Sequence, residues 1–172
     1  MILYPKYYCK RITDISIEFL KKNNIKALIL DVDNTLIDID KNFVEGLEEW
    51  HKNICNSGVK TIILSNSNKV DKVSSVAKAL EIEYIYFGTK PLKRGFKKAI
   101  EKLQVPPENI AAVGDQIFTD IIGANRCKIF PILVEPVNEK DLFITKWKRP
   151  IEEKIIKKYL KNKWKNRGKN VF

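Results

Sequence analysis

Glycine, proline and cysteine are scarce in this chain of 172 residues, which contains seven, seven and three of them. The low glycine and proline content excludes collagen-like and low-complexity chains. The three cysteines, Cys9, Cys55 and Cys127, are far apart, odd in number and absent from any CxxC pair. Disulfide frameworks and zinc sites use paired cysteines, so we interpret all three as reduced residues of the interior or the surface.

Long apolar runs are also absent. The longest, at residues 129–134, spans about six residues, whereas a membrane-crossing helix needs roughly 20. The first residues do not show the basic start and apolar stretch of a secretory signal, so the sequence predicts a cytoplasmic protein. Hydrophobic residues make up 44% and charged residues 31%, which is typical of one globular domain at this length.

Basic residues outnumber acidic ones by 32 to 21, and this net charge of +11 is concentrated at one end. Residues 140–172 contain 12 basic and 3 acidic residues, so they carry +9 of the total. Residues 1–139 hold the remaining 20 basic and 18 acidic residues and are nearly neutral at +2. We divide the chain into a body, residues 1–149, and a basic tail, residues 150–172. An anionic partner is expected to meet mainly the tail.

Short apolar segments alternate with helical patterns through the body. The apolar segments cover residues 25–31, 60–64, 84–87, 110–113 and 129–134, and the helical patterns cover residues 43–56, 70–80, 96–103 and 117–125. This alternation predicts a doubly wound α/β fold, a parallel sheet with helices on both faces. Pro131 favours an edge position for the last strand. Thr13 is expected to cap a preceding helix, and residues 150–164 to form a final one.

Polar residues suited to chemistry follow four of the predicted strands. They are Asp31 and Asp33, then Ser65, then Lys90, then Asp115, at intervals of 34, 25 and 25 residues. Each interval is about one strand and helix, and the carboxyl ends of parallel strands share one edge of the sheet, so these side chains should converge. Carboxylates provide oxygens for Mg²⁺, while lysine and serine suit a phosphoryl group. The sequence therefore predicts a phosphoryl-transfer site.

The motifs at these positions resemble those of the haloacid dehalogenase (HAD) superfamily, whose phosphatases carry DxDx[TV], Ser or Thr, Lys and an acidic motif on successive strands. Here they read DVDNT from Asp31, SNSN from Ser65, KP from Lys90 and GDQIFTD ending at Asp120. The longer stretches DVDNTLID, ILSNSN, TKPLKRGF and VGDQIFTDIIGANR are similar to the YqeG-type class III (IIIA) phosphatases, which are related to mitochondrial phosphatidylglycerophosphate phosphatases. The resemblance extends over residues 3–149.

The resemblance implies a role for each residue. Asp31 would attack phosphorus, and Asp33 would act first as general acid and then as general base. Mg²⁺ would be held by Asp31, the backbone carbonyl of Asp33 and Asp115, with Asp120 acting behind these ligands or through water. The phosphate-binding residues would be Thr35, Ser65, Asn66 and Lys90, with Thr35 also bracing the Asp31 loop. An acid at position 33 favours a phosphatase over a dehalogenase or a transport ATPase.

The intervals between the motifs leave room for a short flap near residues 36–42 and no cap domain. An open site would accept a phosphate on a large body, or a second subunit of a homo-oligomer would supply the missing wall. The leading hypothesis is a Mg²⁺-dependent phosphomonoester hydrolase, with phosphatidylglycerophosphate of phospholipid synthesis as candidate substrate. The alternatives are a phosphatase of another macromolecule or a soluble metabolite, and a phosphate-binding module in ribosome or nucleic-acid transactions.

Three roles stay open for the basic tail. Its apolar residues recur at helical spacing with lysines between them, at Ile151, Ile155, Ile156, Tyr159, Leu160 and Trp164. Such a helix can make peripheral contact with an anionic membrane, or it can dock on the body with its lysines in solvent. A nucleic-acid role is disfavoured, because no known reading motif accompanies the lysines.

Overall fold

The structure, a computed structural model, describes residues 2–138 and 149–167. They form a six-stranded sheet in the order β1-β6-β5-β2-β3-β4, and every adjacent pair is parallel. The strands are β1 (Tyr7–Cys9), β2 (Ala27–Leu30), β3 (Lys60–Leu64), β4 (Glu83–Ile85), β5 (Ile110–Gly114) and β6 (Phe130–Val134). The predicted α/β fold is confirmed.

Helices cover both faces of this sheet. They are α1 (Ile17–Lys22), α2 (Leu47–Asn56), α3 (Val70–Ala79), α4 (Lys93–Leu103), α5 (Ile122–Arg126) and α6 (Arg149–Arg167), and a π-helical segment (Ile117–Ile121) precedes α5. Side chains of a strand alternate between the two faces, so Leu28 and Leu30 of β2 join one buried cluster and Ala27 and Ile29 join the other.

The strand order reverses direction at β2. From this central strand the chain moves outward to β3 and β4, and then returns to place β5 on the other side of β2. Loops that leave such a point in opposite directions open a crevice at the carboxyl ends of the strands. Asp31, which follows β2, and Asp115, which follows β5, both lie at this crevice.

The predicted edge position of the last strand is wrong. The edge next to β6 is occupied by β1, whose three residues are too few to show a strand pattern in the sequence. Pro131 is tolerated inside the sheet because its carbonyl accepts from Lys6 N–H at 2.9 Å, just before β1 begins. The N–H that proline lacks would point to the same side as this carbonyl, toward the chain ahead of β1. No hydrogen bond between β6 and β5 is therefore lost.

Two other predicted elements differ in their bounds. The second helix begins at Leu47 rather than at residue 43, because the preceding residues form a flap in which Ile37 and Phe43 pair as an antiparallel bridge. Gly46 ends the flap at a φ of +75°, a conformation that glycine adopts without steric cost. The third predicted strand is shorter, since β4 ends at Ile85 and leaves Phe87 exposed.

The cap of the first helix was also predicted at the wrong residue. Thr13 lies within a short 3₁₀ turn (Ile12–Asp14), and the side chain that caps α1 is Ser16, whose Oγ accepts from Phe19 N–H at 3.1 Å. The hydroxyl satisfies an N–H that the first helical turn leaves without an intrahelical partner.

The last helix, α6, packs on the body. Ile155 and Ile156 contact a buried cluster that includes Ile117 and Leu133, and the Tyr159 hydroxyl donates to the Lys6 carbonyl at 3.3 Å. Residues 168–172 of the predicted tail, and the side chain of Trp164, lie outside the described part. Across residues 2–138 and 149–167, no helix combines the length and the hydrophobicity that a membrane span requires.

Candidate active site

Lys90 connects two carboxylates at the centre of the crevice. Its ammonium donates to Asp31 Oδ1 at 2.5 Å and to Asp120 Oδ1 at 2.6 Å, and all three side chains are almost completely buried. Charged groups are buried in proteins when they are paired in this way. The structure therefore brings together the residues predicted as nucleophile and phosphate-binding lysine, with Asp120 in direct contact.

The backbone of Lys90 is held from both sides. Asn66 accepts from Lys90 N–H at 2.7 Å through its side-chain oxygen and donates to the Lys90 carbonyl at 2.9 Å through its side-chain nitrogen. Its side-chain amide is therefore occupied in positioning Lys90. Helix α4 braces the same segment, because Gly95 approaches Gly88 so closely that a Cβ at Gly95 would lie 2.1 Å from the Gly88 carbonyl oxygen.

Three carboxylates converge at one point of the site. Oxygens of Asp31, Asp115 and Asp120 all lie within 4.8 Å of one another, and each residue is buried. Their three negative charges exceed the single positive charge of Lys90, and hard carboxylate oxygens are the ligands that Mg²⁺ prefers. The donor set therefore fits a divalent cation, and Asp120 belongs to it geometrically, although the sequence predicts this residue only behind the ligands.

The surplus of negative charge at the site contributes to shifts in the pKa values of Asp31 and Lys90. Burial is the largest influence on Asp31 and raises its pKa above the ordinary value, the Lys90 ammonium opposes this rise, and the charges of Asp120 and Asp33 add to it. Burial lowers the pKa of Lys90, but the attraction of Asp120 and Asp31 outweighs it, so the net shift is upward. A bound cation would counter the repulsion among the carboxylates and favour ionised Asp31.

Asp33 lies at the mouth of the site. Its side chain is 45% exposed, against 11% for Asp31, and its Oδ1 accepts from Lys72 Nζ at 2.5 Å. Lys72 belongs to the first turn of α3, the helix that follows Ser65. An acid at the solvent-facing side of the nucleophile can exchange protons with a leaving group and with water, which is the position that a general acid and base requires.

Thr35 and Ser65 flank the nucleophile. The Thr35 hydroxyl is buried and donates to Asp31 Oδ2 at 3.5 Å, so Thr35 contacts the carboxylate itself. Ser65 is buried at the end of β3, beside β2, and its Oγ accepts from Ser67 N–H at 3.1 Å. The Ser65 hydroxyl, which accepts in this turn, can still donate its own hydrogen to an acceptor such as a phosphoryl oxygen.

Two residues of the site have no signal in the sequence. Lys72 is one of many lysines, and only the packing of α3 places it on Asp33. Glu152 lies in the tail, yet it is buried, and its Oε1 accepts from Ile117 N–H at 2.9 Å and Phe118 N–H at 3.2 Å. It thereby anchors the start of the helical segment that carries Asp120, and it links the tail to the carboxylate cluster.

Only a flap stands over the site on the side of β2. Residues 31–90 are fully described, and between β2 and β3 they contain the flap and α2, while α3 alone separates β3 from β4. Asp38 closes the flap by accepting from Asn42 N–H at 2.8 Å. No domain is inserted in residues 31–90, as the spacing of the motifs predicts.

Comparison with known proteins identifies the class. A family model described as haloacid dehalogenase-like hydrolase matches residues 42–128. The chain is 37% identical over 153 residues to "Probable phosphatase YqeG" of Bacillus subtilis (strain 168), and the match covers 88% of each protein. This chain is a haloacid dehalogenase-like hydrolase and belongs to that family. It is a phosphatase, as the sequence motifs predict.

Two further proteins are similar to this chain. It is 29% identical over 175 residues to "Phosphatidylglycerophosphate phosphatase 1, chloroplastic/mitochondrial" of Arabidopsis thaliana. That match covers 91% of this chain and 48% of the plant protein, so the chain spans about half the length of this relative. An uncharacterized protein from Listeria monocytogenes serotype 4b has a crystal structure with a TM-score of 0.55 and 22% identity, over 63% of this chain and 78% of that one. It shares the fold.

Proposed function

We propose that this phosphatase is a Mg²⁺-dependent phosphomonoester hydrolase that forms an aspartyl phosphate on Asp31. The observation that carries the proposal is the contact of Asp31 with Lys90 inside the carboxylate cluster, at the crevice of the sheet. One oxygen of Asp31 is held by Lys90 and the other contacts Thr35, so the nucleophile is oriented before substrate arrives.

The reaction proceeds in two steps. In the first, an oxygen of Asp31 attacks phosphorus, the bond to the leaving oxygen breaks, and Asp33 gives its proton to the departing alcohol. In the second, Asp33 takes a proton from water, the resulting hydroxide attacks phosphorus, and the acyl phosphate breaks to release inorganic phosphate and restore Asp31. Lys90, Ser65 and the backbone N–H of Asn66 bind the phosphoryl oxygens in both steps.

Asp31, Asp115 and Asp120, together with the Asp33 carbonyl, would hold the metal ion. A divalent cation supplies charge neutralisation to the phosphoryl oxygens and to the crowded carboxylates. Lys90 remains available to the phosphate, because its ammonium can donate three hydrogen bonds and two are used by Asp31 and Asp120.

The substrate we propose is a lipid phosphate of the phosphatidylglycerophosphate type. The crevice is open, which suits a phosphate carried on a large body, and the named activity of the Arabidopsis relative points to the same substrate. The exposed Lys154, near the start of α6, supports peripheral attraction to an anionic membrane.

The test compares the wild type with Asp31→Asn on two substrates, a soluble aryl phosphate and phosphatidylglycerophosphate in mixed micelles. Asn cannot form the acyl phosphate, so we expect turnover of both to fall by at least about a thousandfold with the fold intact. Asp71→Asn is the matched control, because Asp71 is exposed on α3 and its carboxylate is outside the site. Acid-quenched wild type should carry a phosphate that hydroxylamine removes.

Removal of the metal gives a second readout. Exhaustive chelation should abolish turnover, added Mg²⁺ should restore it, and Asp115→Ala should raise the Mg²⁺ requirement. Folded Asp31→Asn that keeps substantial activity would contradict the nucleophile, and full activity after chelation would contradict the metal. Rapid turnover of the aryl phosphate with none of the lipid would redirect the substrate to a soluble phosphomonoester.

A further inference from the structure

Exposed apolar side chains are concentrated at the edge of the sheet that contains the active site. The described residues include nine large hydrophobic side chains that are exposed, and seven of them follow the carboxyl end of a strand. Six of the seven are pure hydrocarbons, and we call them the apolar rim: Ile39, Val70, Phe87, Leu92, Val137 and Ile151, which are 37% to 63% exposed. Two of the nine, Ile2 and Tyr84, lie elsewhere.

The members of the apolar rim lie in segments that follow β2, β3, β4 and β6, at the edge of the sheet that holds the phosphate site. Phe87 N–H donates to the Ser67 carbonyl at 3.0 Å, which ties Phe87 to the chain after Ser65. Val137 N–H donates to the Asn34 carbonyl at 3.0 Å, next to Asp33. Ile39 is exposed in the flap after β2, so hydrocarbon side chains lie in several of the segments that flank the polar site.

The first residues of α6 lie beside the apolar rim, and its later residues lie away from it. Ile151 joins the apolar rim, since the next residue, Glu152, bonds the backbone directly after β5. Tyr159 contacts Lys6, ahead of β1, so α6 runs from the carboxyl edge of the sheet toward its amino edge. With Ile155 and Ile156 packed on the body, the apolar side of α6 is already used.

We propose that the apolar rim docks on an anionic lipid bilayer, with the carboxyl edge of the sheet facing the membrane and α6 directed away from it. This inference rests on the lipid-phosphate substrate proposed above and adds the surface that reaches it. Exposed apolar side chains beside a polar site suit a bilayer interface. The apolar side chains would enter the boundary between headgroups and acyl chains while a headgroup phosphate enters the site. Lys154, which is exposed three residues after Ile151 near the start of α6, adds attraction to anionic lipid at this edge.

In this orientation the lysines of α6 lie at different distances from the membrane. At 1.5 Å per residue, Lys154 lies about 4.5 Å along the helix from Ile151 and Lys161 lies about 15 Å from it. Charges separated by more than about 8 Å are largely screened at physiological ionic strength. Lys154 should therefore contribute to membrane attraction and Lys161 should not, whereas a helix lying in the membrane plane would use both.

The experiment measures binding of the full chain to phosphatidylglycerol vesicles by cosedimentation, without a phosphomonoester lipid and without turnover. The double variant Phe87→Ser, Leu92→Ser should lower the partition constant about tenfold or more. Ile2→Ser is the matched control, since Ile2 is equally apolar, 47% exposed and ahead of β1, and it should stay within about twofold. At physiological ionic strength, Lys154→Gln should reduce binding about fivefold and Lys161→Gln by less than about twofold.

Thermal melting of each variant reports whether it is folded, and Val137→Ser replaces the double variant if the latter unfolds. Equal losses for Lys154→Gln and Lys161→Gln, or for Ile2→Ser and the rim variants, would overturn the proposed orientation. Failure of the wild type to bind the vesicles would overturn membrane docking itself. Sedimentation velocity of the free protein adds one further outcome: a dimer that the rim substitutions dissociate would show that a second copy covers the rim. Because turnover is not measured, loss of the catalytic proposal would leave this result unaffected.

Discussion

Glu152 is the contact by which the tail reaches the catalytic centre, and its replacement gives the sharpest test of that link. Its carboxylate is buried, and a single oxygen accepts from Ile117 N–H at 2.9 Å and Phe118 N–H at 3.2 Å. In Glu152→Ala both donors lose their partner, and a buried donor without a partner costs about 1 to 3 kcal/mol. Phe118 is only half-buried and can recover water, so we expect a total loss of about 2 to 4 kcal/mol.

Differential scanning calorimetry should register this loss. For a chain of this size 1 kcal/mol corresponds to roughly 2 to 4 °C, so the Tm of Glu152→Ala should fall by roughly 5 to 15 °C. Glu152→Gln keeps an accepting oxygen of similar shape but loses the charge, and it should lose only about 1 kcal/mol. Glu153→Ala is the matched control, because Glu153 is the exposed neighbour on the same helix and should melt like the wild type.

The same variant should affect catalysis through Asp120. The segment that Glu152 anchors carries Asp120, whose carboxylate contacts Lys90, so Glu152→Ala should raise the Mg²⁺ concentration needed for half-maximal turnover. Lipid and soluble substrates should be affected alike, because the change lies at the metal and not at the membrane. If Glu152→Ala melts and titrates with Mg²⁺ like Glu153→Ala, the tail is not bound to the body as the structure has it.

Three other outcomes follow from the geometry. Burial and neighbouring carboxylates raise the pKa of Asp31, so the stability of the metal-free protein should fall as pH rises through that raised pKa. Mg²⁺ should therefore raise the Tm more at about pH 8 than at about pH 5. An equal rise in Tm at both pH values would contradict this link between protonation and metal binding. Gly95→Ala should lower the free energy of unfolding in urea by about 1 to 3 kcal/mol and should lower kcat, because its Cβ would displace the Gly88 carbonyl ahead of Lys90. An unchanged kcat would show that the Gly88 loop does not affect catalysis. Burial raises the pKa of Cys9 to about 12, so iodoacetamide at about pH 8 should label exposed Cys55 in the folded protein and spare Cys9, as mass spectrometry would show.

The order of strands and helices and the sheet edge that holds the site were predictable because both depend on local patterns. The apolar segments before Asp31, Ser65 and Asp115 are buried strands, and in a parallel sheet the ends of such strands meet without further information. The same reasoning placed Lys90 beside them. Local patterns also predicted that residues 31–90 hold no inserted domain, because the number of residues between these motifs limits what can fold there.

The partners of the site residues were decided by tertiary structure alone. Lys72 contacts Asp33, and Asn66 holds the backbone of Lys90, because of how neighbouring elements pack across the sheet. A glutamate in a basic tail, Glu152, has the pattern of a solvated residue, and only the docking of α6 reveals its contact with the backbone after β5. The strand β1 likewise has too few residues to be recognised in the sequence, and it is defined by its parallel pairing with β6. Periodicity records which face of an element is buried, and it holds no information on which distant residue will lie against that face.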